Sequence, residues 1–246
     1  DFADPSTLPD AFKGATNLLL VSSNVASSGG DPLVQHRAVA SAARAAGVKH
    51  ILYTSHMGAS ARSAFPPMRD HAATEKMLSD SGLAWTALRN GFYANSAIQM
   101  LGNAFETGIV AAPQDGKVAW TAHDDLAQAA AAILAGVETF DGPTPPLTAQ
   151  AASDFTEIAA FASELTGRKI TRKTLTDADL SASMTARGVP AHVIPIALGL
   201  YLAARAGEFA MTDPTLERLI GHPPLTIFEV LKQHLAPAAS SVLPLI

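Results

Sequence analysis

Apolar positions in the first hundred residues follow two rhythms. Short continuous runs, Asn17-Leu18-Leu19-Leu20-Val21, His50-Ile51-Leu52-Tyr53-Thr54-Ser55 and Ala84-Trp85-Thr86-Ala87-Leu88, read as strands buried on both faces. The stretches between them carry helical spacing. Pro32 to Ala46 is predicted as a helix with Val34, Ala38 and Ala42 on one face and Gly47 as its stop, and Arg69 to Ser81 as a second, closed by Gly82. Apolar strands joined by helices of this length make repeated βαβ units, so the pattern predicts an α/β fold with a doubly wound parallel sheet.

Beyond residue 120 the texture changes. Thr121 to Leu134 is an Ala-rich helix, and Asp141-Gly142-Pro143-Thr144-Pro145-Pro146 reads as a rigid turn or linker. Ser153 to Leu165 is a helix capped by Ser153 or Asp154 and stopped by Gly167. Ile170 to Leu175 is a short strand; Thr176 to Arg187, Ala191 to Ala206, Asp213 to Ile220 and Leu225 to Leu235 are helices. The chain therefore divides into a sheet-bearing domain, 1–147, and a smaller, mostly helical lobe, 148–246. The most apolar window, Val189 to Ala206, is interrupted by Pro190, His192, Pro195 and Arg205, and it falls short of the about 20 residues a bilayer span needs. It reads as a buried or pocket-lining helix.

Composition narrows the chemistry. With 48% hydrophobic and 16% charged residues the chain has material for a large core, and a net charge of −5 leaves no cationic surface for nucleic acid. The absence of cysteine excludes disulfides, a thiolate nucleophile and Cys-based metal sites, and it fits a reducing, cytoplasmic setting. The scattered histidines form no H-x-x-x-H pair and no G-x-S-x-G elbow is present, so neither a metal site nor acyl transfer is expected.

In a doubly wound sheet, ligands bind beyond the carboxyl ends of the strands. Three polar clusters follow the three strands: Ser22-Ser23-Asn24, Thr54-Ser55-His56 and Arg89-Asn90-Gly91-Phe92-Tyr93. Any one of them is explained as ordinary turn and cap chemistry; three in succession point to a shared cleft. His71 and Glu75 stand four apart on a predicted helix and face the same way, a spacing that suits either a helix-supporting pair or a proton-donating His71 near the cleft. No G-x-G-x-x-G or Walker A loop occurs in the chain. Either no dinucleotide binds, or the first βαβ segment lies upstream of Asp1.

Several segments together carry a resemblance. Leu18 to Asn24, Gln35-His36-Arg37 and Ala45 to Ile51 form one part, and His71 to Leu78, Ser81-Gly82-Leu83 and Thr86 to Tyr93 another, with Leu219-Ile220-Gly221-His222-Pro223 and Glu229 near the end. The pattern resembles the NmrA-like atypical short-chain dehydrogenase/reductases, most closely their NAD(P)H:quinone oxidoreductase branch. The resemblance implies a Rossmann-like NAD(P)-binding domain over 1–147 whose glycine-rich turn and NADPH-selecting basic residue precede Asp1. NADPH is the implied cofactor, with NADH as the variant. It implies that Ser22, Ser23 and Asn24 lie against the adenosine and pyrophosphate side of the cofactor, that Thr54 and Ser55 stand where related dehydrogenases keep their active-site Ser, and that Asn90 also contacts the cofactor, with the stretch Tyr93-Ala94-Asn95-Ser96 passing the nicotinamide end. Ser55, His71 and Tyr93 are the implied catalytic residues. The Tyr-x-x-x-Lys pair of ordinary short-chain dehydrogenases is absent, Pro67 and His71 standing roughly there. A quinone suits such a site, because its reduced phenolate is protonated by water and the protein mainly positions two flat rings. Phe92, Tyr93 and Val189 to Ala206 are candidate walls, with Phe92 assigned to the core. The rival readings are a redox-sensing regulator that binds the dinucleotide and a partner protein without turnover, and an inactive fragment. A homo-oligomer is compatible with both; no metal, membrane or nucleic-acid partner is expected.

Overall fold

The computed structural model describes residues 1–236. A 3-10 turn (Pro5–Thr7) and a short helix α1 (Leu8–Ala11) lead into β1 (Asn17–Leu20). Then follow α2 (Pro32–Ala45), β2 (His50–His56), α3 (Pro66–Ser79) and β3 (Ala84–Asn90). These are the three strands and two helices that periodicity predicts, with α3 starting three residues earlier because Pro66 occupies its first position, where a missing N–H is harmless. β1, β2 and β3 are parallel and hydrogen-bonded in that order.

The two faces of the sheet differ by one residue of phase. Ile51, Tyr53 and Ala87 point into a core with Val39, Ala40 and Ala43 of α2 and Leu78 of α3. Leu52 and Leu88 point the other way, onto α6 (His123–Leu134) and α10 (Thr215–Ile220). Both faces are covered, which is why the strands read as continuous apolar runs. On α2 the buried stripe is Pro32, His36, Val39, Ala40 and Ala43 rather than the predicted Val34, Ala38 and Ala42; Val34 is exposed. The pattern misleads because a histidine, not an aliphatic residue, takes the central buried position.

Two short strands replace predicted loops. Phe92–Tyr93 (β4) pairs with Trp120–Thr121 (β6), so the predicted helix at Thr121 begins at His123. Gly142–Pro143 (β7) pairs with β3 at the sheet edge, correcting the linker reading of that segment; proline is tolerated at an edge strand. Gly91 lets β3 turn beneath β6, since a Cβ there would meet the Thr121 hydroxyl at 2.2 Å. Next come α4 (Ala94–Leu101), α5 (Ala104–Thr107) and β5 (Ile109–Pro113). β5 pairs in parallel with β8 (Thr171–Leu175), across α7 (Phe155–Thr166), whose Asp154 makes the expected cap as a full capping box. The helices α8 (Asp177–Ala186), α9 (Ile194–Arg205) and α11 (Ile227–Leu235) complete the described chain. A third core joins Phe65, Phe92 and Trp120 to Phe155, Tyr201 and Phe209, so side chains from both sides of residue 147 share one apolar cluster. Phe92 lies in it, 8% exposed, as assigned.

Candidate active site

Parallel pairing decides what shares an edge. Leu20 lies opposite Tyr53, Ser55 opposite Arg89 and His56 opposite Asn90, so the three polar clusters emerge side by side at the carboxyl ends of β1, β2 and β3. Depth separates them. Beyond β1 lies a cavity of about 230 Å³, large enough for flat ring systems. Ser22, Ser23 and Asn24 form one side of it, His36 and Tyr53 its floor, and Asp70 and His71 of α3 the opposite side. Ile196 of α9 closes over it.

The docking of α9 is set by Gly199, whose missing side chain admits the Ala64 carbonyl and Pro66 ring at distances no Cβ tolerates. Glu208 fixes the same loop by accepting from the Ser63 hydroxyl and the Ala64 amide. At the mouth, the His192 ring donates Nε2–H to the Ser27 carbonyl at 3.2 Å. The Val189–Ala206 segment thus lines the cavity through the single side chain of Ile196 and the His192 contact.

Hydrogen bonds hold this side rigidly. The Ser22 amide donates to Thr54 Oγ1 at 2.8 Å, and the Ser23 amide donates to His36 Nε2 at 2.9 Å. With Nε2 accepting, His36 carries its proton on Nδ1 and donates it to Thr74 Oγ1 at 2.9 Å, and Thr74 donates on to the Asp70 carbonyl. Both ring nitrogens are satisfied without a positive charge, and burial pulls the His36 pKa down to about 4. The spacing of His71 and Glu75 suits either a helix-supporting pair or a proton-donating His71; among the described residues the two do not pair. The Nδ1 of His71 shares a hydrogen bond with the Tyr53 hydroxyl at 2.8 Å, and burial, with His36 nearby, brings its pKa to about 4. Asp70 has no side-chain partner among the described residues, and burial raises its pKa.

Glu75 faces inward instead. It takes the Ser55 hydroxyl at 2.6 Å and both Arg89 Nε (3.2 Å) and Nη2 (2.7 Å) in a forked pair. Ser55 is 1% exposed and lies behind this pair, outside the cavity. Thr54 is outside it too, reaching the site only through its bond to Ser22. Tyr93 stacks on His123, ring centroids 4.2 Å apart, and packs against the α6 core. Ala94 is fully buried, Ser96 half-buried in the first turn of α4, and Asn95 exposed beside a separate shallow groove with Ile98 and Val230. Asn90 is buried with its Oδ1 unpartnered, the one such side-chain atom among the described residues.

Of the expected residues, then, the cavity gathers Ser22, Ser23, Asn24 and His71. It adds three that sequence reasoning passed over: His36, Tyr53 and Asp70. The available signal was a polar ring on the buried stripe of α2 and a tyrosine inside an otherwise aliphatic strand.

A cavity of this kind, at the carboxyl edge of a parallel sheet covered on both faces, is where such folds bind ring-bearing cofactors. Comparison with known proteins agrees in fold and sequence: the NmrA-like family profile matches residues 1–220. The chain belongs to the NmrA-like family. It is 36% identical over 230 residues to quinone oxidoreductase 2 of Escherichia coli strain K12, covering 93% of this chain and 79% of that protein. Among solved structures, the E. coli NADPH-dependent quinone oxidoreductase complexed with NADPH superposes with a TM-score of 0.86 at 34% identity, covering 95% of this chain and 81% of that one. The Citrobacter sp. triphenylmethane reductase complexed with NADP(H) gives 0.84 at 31%, covering 96% and 82%. The NmrA-like fold accounts for the parallel sheet, whose described strands run in chain order β1-β2-β3-β7 and so show only one winding direction of the expected doubly wound sheet. No helix among the described residues is long and apolar enough to cross a membrane.

The residues present fit the ring end of a nicotinamide cofactor. The cavity surface is mostly apolar and its lining holds no Lys or Arg, which suits an uncharged ring rather than the pyrophosphate that the resemblance sets against Ser22, Ser23 and Asn24. Among the described residues, the Ser22 hydroxyl and the Asn24 side-chain amide have no hydrogen-bond partner at its rim.

Proposed function

We propose that this NmrA-like protein is an NAD(P)H-dependent oxidoreductase that reduces quinone-like acceptors in the cavity beyond β1 and β2. The observation that carries the reading is the cavity itself: ring-sized, mostly apolar, and bordered by Ser22 and Asn24 at the carboxyl edge. NADPH is the cofactor, and when bound it supplies the hydride. Ser22, Ser23 and Asn24 hold its ring end. Ile196 and the lobe beyond residue 147 roof the site and keep bulk water from the rings. His71 presents a neutral ring to the acceptor. Ser55 and Tyr93 act from behind the cavity, Ser55 by orienting Glu75 and Tyr93 by fixing the entry into α4. The reading places the protein in the cytoplasm, where NADPH is kept reduced.

NADPH consumption by the protein, with and without a small benzoquinone, tests this. Quinone-dependent oxidation is the expected result. Cofactor binding without any acceleration by quinones would replace it with the regulator reading, in which the dinucleotide is sensed and a partner protein recruited.

A further inference from the structure

Tyr53 was not among the residues expected at the site, yet it is the group that His71 depends on. We propose that Tyr53 is a positioning residue: its hydroxyl holds His71 as the neutral Nε2–H tautomer, so that the ring offers a hydrogen-bond donor to the oxyanion that develops on a reduced acceptor. The proposal rests on the reductase reading and deepens it.

Three observations support this assignment. The Tyr53 hydroxyl bonds His71 Nδ1 at 2.8 Å, and the Thr74 hydroxyl, which already donates to the Asp70 carbonyl and pairs with His36, is the other polar side chain beside it. A phenol O–H that meets a ring nitrogen donates to it, which leaves the imidazole proton on Nε2. Tyr53 is also held still, 1% exposed, edge-on to His36 with ring centroids 5.4 Å apart and packed into the core against α2. Finally, the neighbours of His71 do not compete for Nδ1. His36 from α2 is engaged at both nitrogens. His56 from β2, 6.1 Å away between centroids, spends its Nδ1 on the Gly58 amide. On α3 itself Glu75 is occupied by Ser55 and Arg89, and Asp70 lies at the cavity wall. From α9 only the apolar Ile196 approaches.

The same geometry separates a hydrogen-bond donor from a proton donor. If Nε2 gave up its proton, Nδ1 would have to take that of Tyr53, leaving a tyrosinate where burial already drives the phenol pKa well above its ordinary value. The dyad therefore keeps its protons. One hydride from the dihydronicotinamide and one proton from water turn the quinone into the hydroquinone; Tyr53 and His71 finish the turnover as they began. Their contribution is a preoriented donor at the developing negative charge.

The test reads the tautomer directly. Long-range proton–nitrogen correlation spectra of the histidines at neutral pH, with His71 assigned through His71→Gln, should show Nε2 protonated and Nδ1 accepting. In Tyr53→Phe, which keeps the ring and its packing, that pattern should be lost. The kcat for a benzoquinone should fall about tenfold, with the KM for NADPH within about twofold. Removing the donor to Nδ1 should also raise the His71 pKa, moving the acid limb of the kcat profile upward. An Nδ1–H tautomer in the wild-type protein, or an unchanged kcat in Tyr53→Phe, overturns the proposal. If Tyr53→Phe does not fold, the wild-type spectrum still decides the tautomer. The pair His71→Gln and His71→Ala then decides the role: Gln keeps a donor and should retain several-fold more activity, and equal activities would refute it. A protein that binds NADPH, shows the Nε2–H signature and reduces no quinone would overturn the reductase reading and the oxyanion role together, leaving only the tautomer assignment.

Discussion

The carboxyl edge of the sheet has two halves built from the same kinds of residue, and only one of them is open. On the β1 side, serine, asparagine, tyrosine and two histidines surround a cavity, with His36 held between the Ser23 amide and Thr74 and His71 bonded to Tyr53. On the β3 side, serine, glutamate, arginine and tyrosine close on one another: Glu75 saturates Ser55 and Arg89, and Tyr93 stacks on His123. The difference teaches that polar residues at a sheet edge become a site only when their partners leave groups unspent. An ion pair consumes the donors around it, whereas buried neutral histidines pass polarity toward the cavity without a counter-charge.

If the β3 side is structural, the largest effect should come from Glu75→Gln. Loss of the carboxylate leaves the partly buried Arg89 guanidinium without its forked partner, at a cost of about 2–3 kcal/mol in denaturant unfolding. A cost below about 0.5 kcal/mol would break the comparison.

Acid should act on the β1 side. The unfolded chain protonates His36 near its ordinary value, the folded chain only near pH 4. Stability from keeping this ring neutral is therefore complete above about pH 6.5 and lost as the pH falls toward 4, with about 2 kcal/mol gone by pH 5. His71 and His56 shift in the same direction and add to the slope. Melting curves between pH 7 and 5 check this, and His36→Gln should flatten the dependence.

His71→Ala should separate function from stability. Quinone turnover is expected to drop about tenfold, while the unfolding cost, set by the buried Tyr53 hydroxyl left without this partner, stays at about 1 kcal/mol and below that of Glu75→Gln. A destabilisation as large as that of Glu75→Gln would mean that both halves are structural. The smallest effect is expected for Tyr93→Phe, which keeps the stacking on His123; turnover should stay within about twofold. A tenfold loss there would move the site toward β3 and restore Tyr93 as a contact of the acceptor.

Much of the fold was legible in the order of residues. The three sheet strands, α2, α3, the Asp154 cap and the C-terminal helices all follow from periodicity and capping chemistry, which act over a few neighbours. The short strands β4, β6 and β7 were not legible, since two-residue pairings have no period and exist only where distant segments meet. The site was half legible. Ser22, Ser23, Asn24 and His71 announce themselves as polar residues beyond strands or on an adjacent helix. Tyr53 and His36 hide in apolar stripes, and what ties them into the cavity wall is a pairing across 18 and 13 residues of chain. Glu75 shows the converse: its spacing from His71 predicts a local pair, but the ion pair with Arg89 on β3 wins, because a buried carboxylate is stabilised more by a forked guanidinium than by a neutral imidazole.

By itself, the sequence determined the alternation of strands and helices, the parallel sheet covered on both faces, and the edge at which any ligand would sit, because each depends on local pattern. Only the tertiary structure decided which half of that edge stays open, which nitrogen of each histidine carries the proton, and which carboxylate is spent on an ion pair. Those outcomes depend on side chains brought together from separate elements, where burial and hydrogen-bond partners, rather than spacing along the chain, set charge and exposure.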